Sequence, residues 1–310
     1  MFGVFIMLDR REFLATTFAA GVALPALHTP AFSKTSFPVG EGTVDIVSDG
    51  HLELPTSMVL GRVPEADRSA FLAANNLPSD VVRSSLNLTL YRDGERTVLF
   101  DVGSGPNFMP SAGKLGEALE AAGIAADDVT HIVFTHAHPD HIWGVLDDFD
   151  ELAFGNAEYL MSGPEWDYWF DPETVNKVPE NRQSFAVGAK RNMAAIEDKC
   201  SRFKAGEEVL PGIAAVDTAG HTPGHTSFHI QQGSDSVMVV GDVITNPLYS
   251  FSSPDWQMGT DSDAEQGVKA RKMLLDRMTA EKMQIIGYHL PHPGTGYVER
   301  KGAAFAYVAS

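Results

Sequence analysis

Within six residues, His136-Ala137-His138-Pro139-Asp140-His141 gathers three imidazoles and one carboxylate. The run before it, His131-Ile132-Val133-Phe134-Thr135, reads as a short buried strand that points straight into the cluster. Such a density of polar groups is incompatible with apolar core packing, so the fold must bring that strand end to a place where the groups are used. In extended backbone, residues 136 and 138 project to the same side, and their imidazoles can converge on one ion while Asp140 and His141 turn towards a second. Nitrogen and oxygen donors without a thiolate suit zinc, and manganese, iron, cobalt and nickel accept the same set.

Around this cluster the pattern predicts strands and helices in mixed order. Residues 43–47 read as a strand, followed by a turn at Ser48-Asp49-Gly50 and an irregular, proline-broken stretch to about residue 80. Strands follow at 85–91 and 97–100, with Asp93-Gly94 between them as a hairpin signal. A helix over 115–122 ends at Gly123, a good C-terminal cap. The second half repeats the plan loosely, with strands at 213–218, 226–231, 236–240 and 284–288 and a helix over 265–278. Between the halves, residues 162–205 are aromatic and charged and predict helical or loop insertions rather than a linker. Both halves deliver polar clusters at strand ends, which predicts an α/β sandwich whose two sheets meet at a shared site.

Composition narrows the partners. With 41 acidic residues against 23 basic ones, the formal charge of −18 argues against nucleic acid or an anionic membrane as a partner and favours a small-molecule substrate. The sequence shows no Lys/Arg cluster to offset that field. Cys200, the single cysteine, excludes an intramolecular disulfide and lies in no zinc-finger spacing. Nothing in the sequence fixes the oligomeric state. Residues 1–35 read as a signal peptide of the twin-arginine type: Asp9-Arg10-Arg11-Glu12-Phe13-Leu14 precedes an uncharged stretch too short and too weakly apolar to span a bilayer. A periplasmic or secreted protein follows from that reading, with residues 36–310 as one domain.

The motif His-x-His-x-Asp-His after a strand resembles the metallo-β-lactamase superfamily signature. The resemblance implies an αββα sandwich of two mixed sheets with outer helices, two divalent metal ions, expected to be zinc, and ligands well downstream. Gly220-His221-Thr222-Pro223-Gly224-His225-Thr226 fits the next element, and the interval to the following aspartate favours His221 over His225. Val239-Val240-Gly241-Asp242 supplies the bridging carboxylate, and Ile285-Ile286-Gly287-Tyr288-His289 the last histidine, in preference to His292 beyond Pro291. The implied set is His136, His138 and His221 around one ion and Asp140, His141 and His289 around the other, with Asp242 between them. Asp101 reads either as an orienting partner for a ligand histidine or as a turn-former before Gly103.

Such a pair implies hydrolysis, in which a hydroxide held by the ions attacks an ester, lactone or phosphotriester while Asp140 orients it. Asp242 argues against true β-lactamases, which lack that ligand, and the acidic surface argues against nucleases. The remaining length leaves no room for a flavodoxin-like domain. The best-known quorum-signal lactonases carry a tyrosine three residues after the bridging aspartate, where this sequence has Thr245. The chain most resembles the methyl-parathion-hydrolase-like branch, which implies Phe108, Trp169 and Phe185 as pocket aromatics. Neutral, moderately apolar substrates are therefore expected. The alternative is a non-catalytic metal-dependent binding or sensing protein on the same fold.

Overall fold

Alternation of apolar residues along the strands sets the architecture, because each strand has two faces to cover. The computed structural model describes residues 34–310, and the twin-arginine segment lies outside them. Fourteen strands among the described residues form two seven-stranded sheets. The first runs in spatial order through β1 (Thr35–Val39), β2 (Gly42–Pro55), β3 (Val81–Arg92), β4 (Thr97–Phe100), β5 (His131–Val133), β6 (Glu158–Ser162) and β7 (Cys200–Phe203). The second comprises β8 (Glu208–Leu210), β9 (Ile213–Asp217), β10 (Thr226–Gln232), β11 (Asp235–Val239), β12 (Gln284–Ile286), β13 (Thr295–Lys301) and β14 (Ala304–Ala309), again neighbour to neighbour. Both are mixed. Pairing is antiparallel from β1 to β4 and parallel from β4 to β7, while in the second sheet only β11 and β12 pair in parallel.

The period of two decides which layer each side chain joins. Val98 and Phe100 of β4 pack between the sheets against Phe228, Val237 and Ile286, whereas Leu99 faces outward. Outward residues of the first sheet meet the helices Leu115–Ala121, Gly163–Phe170 and Gln183–Ala195 through Leu119, Trp166 and Met193. Met238 and Ile285 of the second sheet meet Leu274, Leu275 and Met278 of the helix Ala264–Glu281. Each such side chain, fully buried, contributes about 1.5–3 kcal/mol relative to exposure. The result is the expected αββα sandwich, and no helix among the described residues is long and apolar enough to cross a membrane.

Two expectations fail for identifiable reasons. Ser48-Asp49-Gly50 is not a turn: β2 runs through it with a register shift at a bulge, and the Asp49 carboxylate is buried, accepting from the amides of Ser104 and Leu115 at 2.8 Å each. The stretch to residue 80 is not irregular throughout, since Thr56–Val59 and Glu65–Ala74 are helical. Pro64, the residue before the second helix, marks its start rather than breaking it. The hairpin at Asp93-Gly94 and the cap at Gly123 form as expected, with Gly94 and Gly123 at φ 88° and 70°.

Candidate metal centre

The strand ends on one side of the sandwich carry the polar residues. Beyond β5 comes Thr135 and then the histidine cluster; beyond β9, His221; beyond β11, Asp242; beyond β12, His289. The structure brings all seven expected side chains into two adjoining groups, His136, His138, His221 and Asp242 in one, Asp140, His141 and His289 in the other.

In the first group His136 Nε2 lies 3.0 Å from His138 Nδ1, which lies 2.9 Å from His221 Nε2, and His221 Nε2 is 3.2 Å from Asp242 Oδ2. In the second, Asp140 Oδ2 is 3.3 Å from both His141 Nε2 and His289 Nε2. Asp242 joins the groups: Oδ1 is 3.3 Å from His141 Nε2, and Oδ2 is 3.1 Å from His289 Nε2.

Four of the five rings are fixed from behind. The Nδ1–H of His141 donates to Asp101 Oδ2 at 2.8 Å, that of His221 to Asp261 Oδ1 at 3.0 Å, and that of His289 to the Ser85 carbonyl at 3.0 Å. His136 Nδ1 lies 3.0 Å from the Thr135 hydroxyl. With Nδ1 occupied, the Nε2 lone pairs of these four face the centre, whereas His138 presents its Nδ1 there. Asp101 is thus no mere turn-former. It sits at φ 63°, rare for a residue other than glycine, held by Thr135 N and Thr135 Oγ1 at 2.8 Å each as well as by His141.

The donor set fits divalent ions. Asp140 Oδ2, His141 Nε2 and Asp242 Oδ1 are buried without a hydrogen-bond partner, a cost of about 1–3 kcal/mol per group unless something else meets them. Electrostatics points the same way. Burial lowers the pKa values of His136 and His138 well below the ordinary range, leaving them neutral for coordination. For His221 and His289 burial acts downward too, but the Asp242 carboxylate, with Asp261 or Asp140, outweighs it and lifts them to about 9 and about 10. Without cations, protons fill the place between these carboxylates and imidazoles; bound ions displace them.

His225 is otherwise engaged. Its Nε2 accepts from the Asp242 amide at 2.8 Å and its Nδ1 meets the Thr218 hydroxyl at 2.9 Å, while burial drives its pKa down to about 3. It shapes the turn that presents Asp242. His292 is turned to Asn87 Oδ1 at 2.8 Å, off the strand end.

The chain matches the model of the Metallo-beta-lactamase superfamily over residues 83–277. It belongs to that superfamily. Among solved structures, it is similar to AidC, a dizinc quorum-quenching lactonase, with a TM-score of 0.84 and 27% identity over 90% of this chain and 97% of that one. The hydrolase AbOPH of the beta lactamase superfamily gives a TM-score of 0.82 at 24% identity, covering 89% of this chain and 97% of that chain, a likeness of fold alone. An N-acyl homoserine lactonase of Bacillus thuringiensis is 27% identical over 135 residues, 43% of this chain and 46% of that protein. The superfamily member described here is a metal-dependent hydrolase.

Several residues that shape this superfamily site have no marker in the sequence. Glu165, wholly buried, takes the Ala137 amide (2.9 Å) and the Trp169 indole (2.6 Å) on one oxygen, and the Thr222 hydroxyl (2.7 Å) and Gly224 amide (2.9 Å) on the other. It ties the His136–His138 segment to the His221 loop. Arg271 steadies Asp261 from behind, and the Tyr288 hydroxyl donates to the Asp140 carbonyl at 2.6 Å while its ring stacks on His141.

The pocket aromatics separate. Phe108 and Phe185 line a narrow cavity with His138, Asp140, Asp242 and His289. Trp169 lies behind His138, edge-on at 5.6 Å, and faces an adjoining outer cavity of about 390 Å³.

Proposed function

We propose that the chain hydrolyses the ester bond of a lactone or a related carboxylic ester with two zinc ions. His136, His138 and His221 would hold one, Asp140, His141 and His289 the other, with Asp242 shared. The observation that carries this reading is the convergence of both groups, orphaned buried atoms included, at the base of a cavity with apolar walls. Similarity to AidC supports both the lactone and the zinc.

Bound ions supply Lewis acidity at the scissile carbonyl and activate water near neutral pH. The chain's own residues do the rest. Asp140, buried beside His141 and His289, is placed to accept a hydrogen from incoming water and orient it, while Tyr288 fixes the Asp140 backbone. Leu52, Leu54, Phe108 and Phe185 exclude bulk water and hold an apolar acyl or aryl part. Thr245 and Tyr249 share that wall.

The test is a panel of an N-acyl homoserine lactone, an aryl ester, a thioester and an aryl phosphotriester, each with zinc-loaded and chelated protein. Lactone or ester turnover that vanishes on chelation is expected. Turnover of the phosphotriester alone would replace the carboxylic-ester reading. No turnover of any, despite bound metal, would favour the binding protein.

A further inference from the structure

Charge is distributed against the global trend at the mouth of the site. The outer cavity beside His138 is lined by Arg62, Lys177 and Arg182, with Asp261 as its single carboxylate. These cations are scattered in the sequence, and only the fold gathers them. Lys177 is neutralised by Asp171 at 2.6 Å. Arg182 is not: its guanidinium donates to the carbonyls of Gly259 (2.7 Å) and Thr260 (3.3 Å), and no carboxylate pairs with it among the described residues. The acid that acts on it, Asp261, is committed to His221 and Arg271.

Arg182 also reaches inward. It is the one lysine or arginine on the inner cavity that contains Asp140, Asp242 and His289, so it stands at the junction of the two spaces. A half-buried guanidinium bonded only to main-chain carbonyls keeps donors in hand and a charge without a partner, both of which a carboxylate satisfies. Burial and Arg62 both lower its pKa, with Asp261 opposing.

We propose that Arg182, with Arg62 on the same wall, receives a carboxylate carried by the substrate at the end away from the scissile bond. The inference rests on the hydrolase reading and adds the substrate's charge to it. The apolar wall takes the uncharged part, and the basic junction takes the acid. The net charge of −18 does not prevent this, since at physiological salt it is screened beyond about 8 Å, whereas contact inside the cavity is not.

The experiment compares the p-nitrophenyl monoester of adipic acid, which keeps a free carboxylate, with its methyl diester, using the zinc-loaded enzyme. The expected kcat/KM ratio favours the acid by about tenfold at low salt and shrinks as salt rises. R182Q should lower the ratio by about tenfold, and R62Q, at an exposed position on the same wall, by a few-fold. An unchanged ratio in both variants, or a wild-type preference for the diester, overturns the proposal. Calorimetric titration with hexanoate separates this from failure of the hydrolase reading. If neither ester is turned over, about tenfold weaker hexanoate binding by R182Q still supports the anion site, and equal binding rejects it.

Discussion

Asp242→Ala is expected to leave neither metal position filled and to lower kcat/KM by at least about a thousandfold, beyond the 10–100-fold typical when only an orienting partner is lost. The carboxylate contacts both groups, with His221, His289 and His141 within 3.3 Å, so its removal strips a ligand from each. It also removes the negative charge that stabilises two divalent cations in a buried site. His225→Ala is the contrast. That imidazole touches the Asp242 backbone and not the centre, so the variant should retain most of its metal and lose about 10–100-fold in activity. Elemental analysis beside steady-state kinetics checks both. A His225→Ala protein without metal, or an Asp242→Ala protein with both ions, would reverse the assignment.

Glu165→Ala should cost about 3–5 kcal/mol of stability, although the residue touches no expected ligand side chain. Four donors lose their acceptor in a place closed to water, and the loop with His136 and His138 loses its tie to the loop with His221. Burial raises the carboxyl pKa against the pull of the four donors, and two of those donors bond each oxygen, so both oxygens serve as acceptors. Glu165→Gln does not rescue it, because an amide nitrogen in either orientation faces a main-chain N–H, that of Ala137 or that of Gly224. Urea denaturation of the chelated variants measures the loss. Zinc titration should also show weaker binding at the His136, His138 and His221 group than at the other. Full stability in Glu165→Gln would show that the carboxylate is dispensable.

Where the sequence spoke clearly, the signal was local. Period-two apolar runs, Asp93-Gly94 and Gly123 mark elements by short-range backbone preferences, and the cluster from His136 to His141 needs no distant partner to be noticed. Glu165, Asp261 and Tyr288 carry no such signal, because a buried acceptor is defined by the donors that surround it, and these come from distant segments. Asp49 illustrates the same limit: Ser-Asp-Gly is a turn signal, yet tertiary donors at Ser104 and Leu115 hold it within a strand. The strands β13 and β14 escaped notice because only half of their residues face a core, and the polar half hides the alternation. Net charge misled most about Arg182, since a sum over the chain says nothing about which cations the fold brings together.

The central claim is that two ions, bound together between these seven side chains, enable hydrolysis. The most direct measurement is a zinc titration of chelated protein, with bound metal and turnover of an N-acyl homoserine lactone or aryl ester followed in the same samples. Activity should rise from zero and level off at two zinc ions per chain. Full activity in the metal-free protein, or a plateau with a single ion bound and Asp140→Ala as active as the unaltered chain, would contradict it.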